Sequence, residues 1–420
     1  MKERIIFLLL ASVILIGTFA LISPANDEPE QRDVTVAVAT DLHYIAPSLT
    51  DNGEFFTELV TDADGKVMLY IDELVRAFAA QIAREQPDAL ILSGDLTFNG
   101  ETLSHETLAD ILAEIEAAGV PVYVMPGNHD MLNSMAAKFS GGGYELTDSP
   151  SESEFAGIYA DFGYSEAISR DSASLSYTAR LAPGLRLVML DVNTRSDPGW
   201  VRDGTLEWLG AQLAEAKAAG ERVIAVSHQN LYAHNPLFTD GYLIGNGGAL
   251  HSLYTEYGVL CNLAGHIHLQ HTYEYEGLRE IVTSSLAVNP NQYGLLTVSA
   301  DGCDYSTESV DVSDWASEQG LDDENLLDFA AYSEGFFYDT AVAQGLDALG
   351  GAENAAELAG FYARVNTLYF AGRGDLIEWD ETLASGWDGH GYMIPVYLGT
   401  IRSDAGTDHT HLSWSFSGAA

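Results

Sequence analysis

Between residues 34 and 268, five short apolar runs each end on a cluster of carboxylate, amide or imidazole side chains. Val34–Ala39 leads into "TDLH", with Asp41 and His43, and Ala89–Leu92 into "SGDL", with Asp95. Val120–Met125 runs into "PGNHD", with Asn128, His129 and Asp130. Val223–Val226 leads into "SHQN", with His228, and Val259–Ala264 into "GHIH", with His266 and His268. The runs are rich in Val, Ile and Leu, as buried strands are, and turn formers follow them. Singly, each cluster is an ordinary turn or a structural histidine. Together they constrain the fold, because in sheets of strands alternating with helices the segments leaving the carboxyl ends of strands converge.

The alternation is present. Ile71, Leu74, Val75, Phe78 and Ile82 give Ile71–Arg84 helical periodicity, and Thr107–Ala118 is a second helix, so residues 34–125 read β-α-β-α-β. Ser174–Leu181 and Leu185–Leu190 flank Pro183-Gly184 as a hairpin. Helices are expected at Thr205–Ala219 and near Leu250–Tyr257, and further strands at Leu278–Val282 and Leu295–Val298. After about Ser313 the pattern turns helical, with Leu358, Phe361, Tyr362, Val365 and Leu368 on one face and Gly372 closing it. The expected organisation is a targeting segment (1–25), a polar linker (26–33), an α/β domain carrying the clusters (34–312) and a mainly helical domain (313–420).

Lys2 and Arg4 precede the apolar run Ile5–Ile22, and Asp27, Glu28 and Glu30 follow it. Cations before and acids after point to export, with residues 5–22 either retained as a membrane anchor or removed near Ser23-Pro24-Ala25. The expected location is extracytoplasmic, and the membrane is met only through this segment. Against 62 acids stand 18 Lys and Arg, a net charge of −44, which repels polyanions and argues against nucleic acid as a partner. Of two cysteines, Cys261 reads as a buried free thiol and Cys303 as part of a turn after Asp301-Gly302, so no disulfide framework is expected.

Seven candidate ligands emerge: Asp41, His43, Asp95, Asn128, His228, His266 and His268. Oxygen and nitrogen donors without thiolate suit Mn²⁺, Fe²⁺ or Zn²⁺. Two divalent metal ions about 3.5–4 Å apart need an anion between them, and Asp95 is the obvious bridging carboxylate.

The order of these blocks resembles the calcineurin-like metallophosphoesterase family. "SGDLTFNGE", "GNHD", "FGYSEAISRD" and the helical C-terminal region look like its exported bacterial cyclic-nucleotide-phosphodiesterase-like members. Phe98 stands where purple acid phosphatases carry a tyrosine ligand, and "LTFNG" stands where protein phosphatases carry Asp-Arg-Gly. The resemblance implies an α/β fold: a two-sheet β-sandwich flanked by helices. It implies Asp41, His43, Asp95 and His268 around one metal and Asp95, Asn128, His228 and His266 around the other. His129 would contact or protonate the substrate, and Asp130 would orient it. His228-Gln229 departs from the paired histidines common in relatives.

The expected reaction is hydrolysis of a small-molecule phosphodiester, cyclic nucleotides among the candidates, by a hydroxide bridging the metals with His129 assisting the leaving group. The alternatives are a phosphomonoesterase or nucleotidase, and a non-catalytic, metal-stabilised surface protein. His234, His271 and Tyr293 are candidate substrate contacts, whereas His105, His251, His390, His409 and His411 read as structural or exposed. The helical domain is expected to wall the site without being needed for metal binding.

Overall fold

In the computed structural model, which describes residues 32–61, 63–194 and 198–416, all five apolar runs form strands. Val34–Ala39 and Ala89–Leu92 have the expected bounds, and Val120–Met125 shortens to Val122–Val124. Pro121, with no N–H to give a ladder, accounts for the late start.

Six strands form a mixed sheet in the order His411–Ser415, Gly302–Ser309, Gln292–Val298, Val34–Ala39, Ala89–Leu92, Val122–Val124. The last three are parallel, joined by crossovers that include helices Ile71–Glu85 and Thr102–Ala117. The second sheet has seven strands: His271–Tyr275, Leu278–Val282, Asn262–Ala264, Arg222–Ser227, Leu185–Leu190, Tyr177–Ala182 and Ser169–Arg170. Leu187, Met189, Ile224 and Val226 pack with Val36, Val38, Ile91 and Leu296 in one buried core between the sheets. Their strand neighbours Val188, Leu190, Val223 and Ala225 face the other way, beneath Leu209, Leu213, Leu250 and Tyr254 of helices Asp203–Ala218 and Gly247–Tyr257. That alternation is the two-residue period of a strand covered on both faces. The fold is the helix-flanked pair of sheets implied by the resemblance.

The C-terminal region is mainly helical, and the described residues from Asp33 onward make one compact unit. Val312, Ala316 and Phe329 belong to the core of the sandwich, and His411–Ser415 returns as an edge strand against Gly302–Ser309. A further buried cluster joins Phe361, Tyr362, Val365 and Trp387 to Ile267, Leu269 and Val282. Ile267 and Leu269 alternate with the candidate ligands His266 and His268, so the helices buttress the ligand loop.

Cys261 and Cys303 are both buried and free. Cys303 lies in strand Gly302–Ser309 opposite Val298, not in a turn, because pairing with both neighbouring strands extends the strand back to Gly302. The expected targeting segment, residues 1–25, lies outside the described residues. Among the described residues no helix is long and apolar enough to cross a membrane.

Candidate metal centre

The loops leaving the parallel strands are stitched together before any side chain is considered. Asp41 N–H donates to Gly94 O at 3.0 Å, His43 N–H to Asp95 O at 3.0 Å, and Gly265 N–H to His228 O at 3.1 Å. Two bonds cross between the sheets: His228 Nδ1–H donates to Ser93 O at 2.9 Å, and His266 N–H to Asp41 Oδ2 at 2.8 Å. The first fixes the tautomer, leaving the His228 Nε2 lone pair free. Asp41, His43, Asp95, His266 and His268 all have left-handed backbones, with φ between 47° and 72°. Such residues cost of order 1–3 kcal/mol each and persist where surrounding bonds over-determine them, characteristically at functional sites.

Two groups of side chains result. In the first, His43 Nε2 and His268 Nε2 approach to 3.1 Å, and Asp41 Oδ1 lies 3.3 Å from the latter and 3.8 Å from the former. In the second, His228 Nε2 lies 3.1 Å from Asn128 Oδ1 and 3.3 Å from Asp95 Oδ2, with His266 alongside at a ring separation of 4.9 Å. Asp41, His43 and His268, and separately Asp95, His228 and His266, each bring ligand atoms within 4.8 Å of one another. All seven candidate ligands therefore meet at one edge of the sandwich.

These donors fit a divalent cation. Asp41 Oδ1 is buried without a hydrogen-bond donor, and a buried carboxylate oxygen in that state is costly unless a cation faces it. Burial holds the His43 imidazole well below its ordinary range and takes His266 down to about 4, which keeps their lone pairs available. For His228 burial pulls the same way, but the adjacent Asp95 carboxylate outweighs it and lifts the imidazole to about 9. Asp95 in turn is held well below the carboxylate range by His228 and His129, against the effect of burial. Positive charge is thus favoured beside Asp95, and a divalent ion held there would supply it in place of the His228 proton. The close packing demands glycine twice. A Cβ at Gly127 would fall 2.8 Å from Asp95 Cγ and nearer still to its Oδ1, and one at Gly265 would fall 2.6 Å from Asp41 Oδ2.

Residues 34–270 match the calcineurin-like phosphoesterase family, a span containing all seven ligands. The chain belongs to the calcineurin-like phosphoesterase family. It is a hydrolase of phosphoester bonds from a family that uses divalent metals. Residues 311–408 of this phosphoesterase match the C-terminal domain of cyclic nucleotide phosphodiesterase. It is 25% identical over 269 residues to a "probable cyclic nucleotide phosphodiesterase" of Pseudoalteromonas sp. (strain SM9913), covering 62% of this chain and 80% of that one. A protein of the same name from Rhodopseudomonas palustris is 28% identical over 174 residues, 40% of this chain and 50% of its own length. Among solved structures, a dimetal phosphatase from Danio rerio aligns with a TM-score of 0.47 at 16% identity, covering 66% of this chain and 96% of that one.

His129 of this phosphoesterase sits over the ligands, about a third exposed, with Nε2 3.9 Å from Asp95 Oδ2. Its Nδ1 faces Phe98 O at 3.1 Å and Asn99 Oδ1 at 3.2 Å, both acceptors, so Nδ1 carries the hydrogen. Asp130 does not orient this ring. Its buried carboxylate accepts from Leu96 N–H, Thr97 N–H and Gly127 N–H at 3.1, 3.0 and 2.7 Å, pinning the loop after one strand to the loop after the next. The backbone turn between His129 and Asp130 sends the two side chains apart, which adjacency in the chain does not reveal. Gln229 donates to Asn193 Oδ1 at 2.6 Å, and Asn193 Nδ2 to Pro126 O at 3.2 Å, so the glutamine supports the "PGNHD" loop.

None of the three residues singled out as substrate contacts meets the metal groups. Tyr293 is buried against Phe78, with its hydroxyl on Glu85 Oε2 at 2.6 Å, because its alternate position on strand Gln292–Val298 faces helix Ile71–Glu85. His234 and His271 form a separate buried network: their Nδ1 atoms are 2.9 Å apart, His234 bonds Glu280 at 3.1 Å, and His271 lies 3.3 Å from Asp404. His409 stacks on His271 with its Nε2 3.1 Å from Asp404, a third cluster of ligand-type side chains apart from the two groups, and His105 is buried against Tyr159 OH and Asp130 O. Phe98 and Asn99, the partners of His129, stand within "SGDLTFNGE", but nothing in that stretch marks them for this role.

Proposed function

We propose that this phosphoesterase hydrolyses small-molecule phosphodiesters, cyclic nucleotides among them, with two divalent metal ions. The single observation carrying this reading is the meeting of two ligand groups at one edge of the sandwich, with the partly exposed His129 imidazole beside Asp95. Asp41, His43, Asp95 and His268 would hold one ion, and Asp95, Asn128, His228 and His266 the other. When bound, the ions activate water and offset the charge developing on the phosphoryl oxygens. His129 keeps its Nδ1 hydrogen on Phe98 O, so Nε2 is the nitrogen that hands a proton to the departing oxygen. The charge of −44 favours a small substrate over a polyanion. Lys2 and Arg4 ahead of Ile5–Ile22 support action outside the cytoplasm, on extracellular nucleotides or envelope diesters.

Metal analysis of purified protein, followed by a panel of diesters and monoesters in Mn²⁺, Fe²⁺ and Zn²⁺, tests this. Two metals per chain and a preference for diesters are expected. Preference for monoesters would make it a phosphomonoesterase, and metal uptake without turnover of either class would leave a metal-stabilised binding protein.

A further inference from the structure

Beside the metal groups lies a cavity of about 350 Å³. His266 and His268, one from each ligand group, form part of its wall, and helices Phe329–Leu349, Ala355–Phe370 and Met393–Asp404 supply much of the rest. Its aromatic lining is Phe238, Tyr242, Phe337, Tyr362, Phe370 and Tyr397. The rings adjoin: Phe337 and Phe370 are 5.4 Å apart, Phe238 and Tyr242 5.3 Å, and Tyr242 lies 5.5 Å from the ring of His266. An aromatic surface therefore reaches as far as a metal ligand.

Two amides interrupt that surface. Tyr397 OH donates to Asn366 Oδ1 at 2.8 Å, which leaves the Asn366 NH₂ as a donor. Gln344 Nε2 donates to Ala63 O at 3.3 Å, which leaves its carbonyl oxygen as an acceptor. Among the described residues neither Lys nor Arg lines the cavity, and Asp64 is tied to Lys66 Nζ at 2.6 Å. The occupant is accordingly an uncharged part of the substrate, not a second phosphate.

We infer that this cavity receives the heterocyclic base of a nucleoside phosphoester whose phosphate lies at the metal groups. Aromatic faces stack on any base, and an amide donor with an amide acceptor matches the mixed donor-acceptor edge that bases present. The volume sits at the lower end of the ordinary small-ligand range of about 300–1,000 Å³, so it accommodates one nucleoside and not an oligonucleotide. An alkyl substituent would leave both amides unpaired on desolvation, which penalises it. The inference rests on the phosphodiesterase reading above. It makes the C-terminal helices a specificity element, with Phe337 and Asn366 as base contacts.

The test compares kcat/KM of the metal-loaded full chain for the nitrophenyl diester of a nucleoside with that for methyl nitrophenyl phosphate, which has the same leaving group and no base. The nucleoside ester should be favoured by about 10- to 100-fold, the range of one stacked base. Phe337→Leu and Asn366→Ala should each erode that ratio about tenfold or more, chiefly through KM. In parallel, equilibrium dialysis should find adenosine alone bound more weakly by both variants than by the parent chain. Equal kcat/KM for the two esters, or a ratio untouched in both variants, would overturn the assignment while leaving the phosphodiesterase reading intact. A preference for nitrophenyl phosphorylcholine would also overturn it, making the cavity a cage for a quaternary ammonium group. If no diester is turned over, the reading of the reaction fails, and the dialysis still decides whether the cavity takes a base.

Discussion

Replacing Gly127 by alanine adds one carbon and should cripple the enzyme. That carbon would stand 2.8 Å from Asp95 Cγ and closer to its Oδ1, and it would also meet the Asp95 backbone nitrogen. Ordinary contact begins near 3.4 Å, so the carboxylate must retreat by more than about half an ångström at Cγ and about 1 Å at Oδ1. It cannot retreat freely, because Oδ1 accepts from His129 N–H at 2.8 Å and Oδ2 faces His228 Nε2 at 3.3 Å. Gly127 itself is held by its N–H bond to Asp130 Oδ2 at 2.7 Å. Displacements of this size at a reacting centre cost on the order of 10²-fold in rate, and overpacking costs about 1–3 kcal/mol of stability. The assay is diester turnover, metal content per chain and thermal unfolding of Gly127→Ala beside the parent. A folded variant with reduced metal content and about 10²-fold lower kcat/KM is expected. Normal turnover with two metals bound would refute the argument that Asp95 is positioned by this close approach.

Three further outcomes follow from the geometry. His129→Ala should keep both metals and slow alkyl or nucleoside diesters by about 10²–10⁴-fold, while an activated nitrophenyl ester, which leaves without a proton, suffers much less; equal losses on both would remove His129 from the acid role. Leu269→Ala, which empties a buried site between the ligand loop and the C-terminal helices, should cost about 2–5 kcal/mol and weaken metal retention, measured by thermal unfolding and metal titration. Unchanged metal affinity there would mean that the helices do not brace His268. Glu101 is buried, and burial raises its carboxyl from the ordinary 4.5 to about 7. A raised acid is neutral in the folded state, so its contribution is complete below about pH 4.5 and is lost as pH climbs through about 7, at most about 3 kcal/mol. Glu101→Gln should flatten that part of the dependence of Tm on pH relative to the parent, and parallel curves for the two proteins would contradict the assignment.

What could be read in the chain itself were features whose causes are local. A buried strand is apolar over a few residues, a turn former ends it, and a ligand placed just beyond a strand needs no distant partner to be noticed. Hence Val34–Ala39, Ala89–Leu92 and Leu278–Val282 appear with their expected bounds, and all seven candidate ligands lie at one edge of the sandwich. Helix Ala355–Phe370 was equally visible, since its apolar period is a property of sixteen consecutive residues. Side-chain direction was not visible. Whether Asp130 turns toward His129 or toward Gly127, and whether Tyr293 faces the cleft or Glu85, depends on which backbone donors and which helix fold against them. The network of His234, His271 and Asp404 joins positions up to 170 residues apart, and no periodicity encodes it. The same holds for Ile267 and Leu269: hydropathy marks them as apolar, but only packing against Phe361 and Tyr362 makes the helical region a support for the metal ligands. Local chemistry names the residues that can hold a metal. The long-range burial of their neighbours decides which way each of them points.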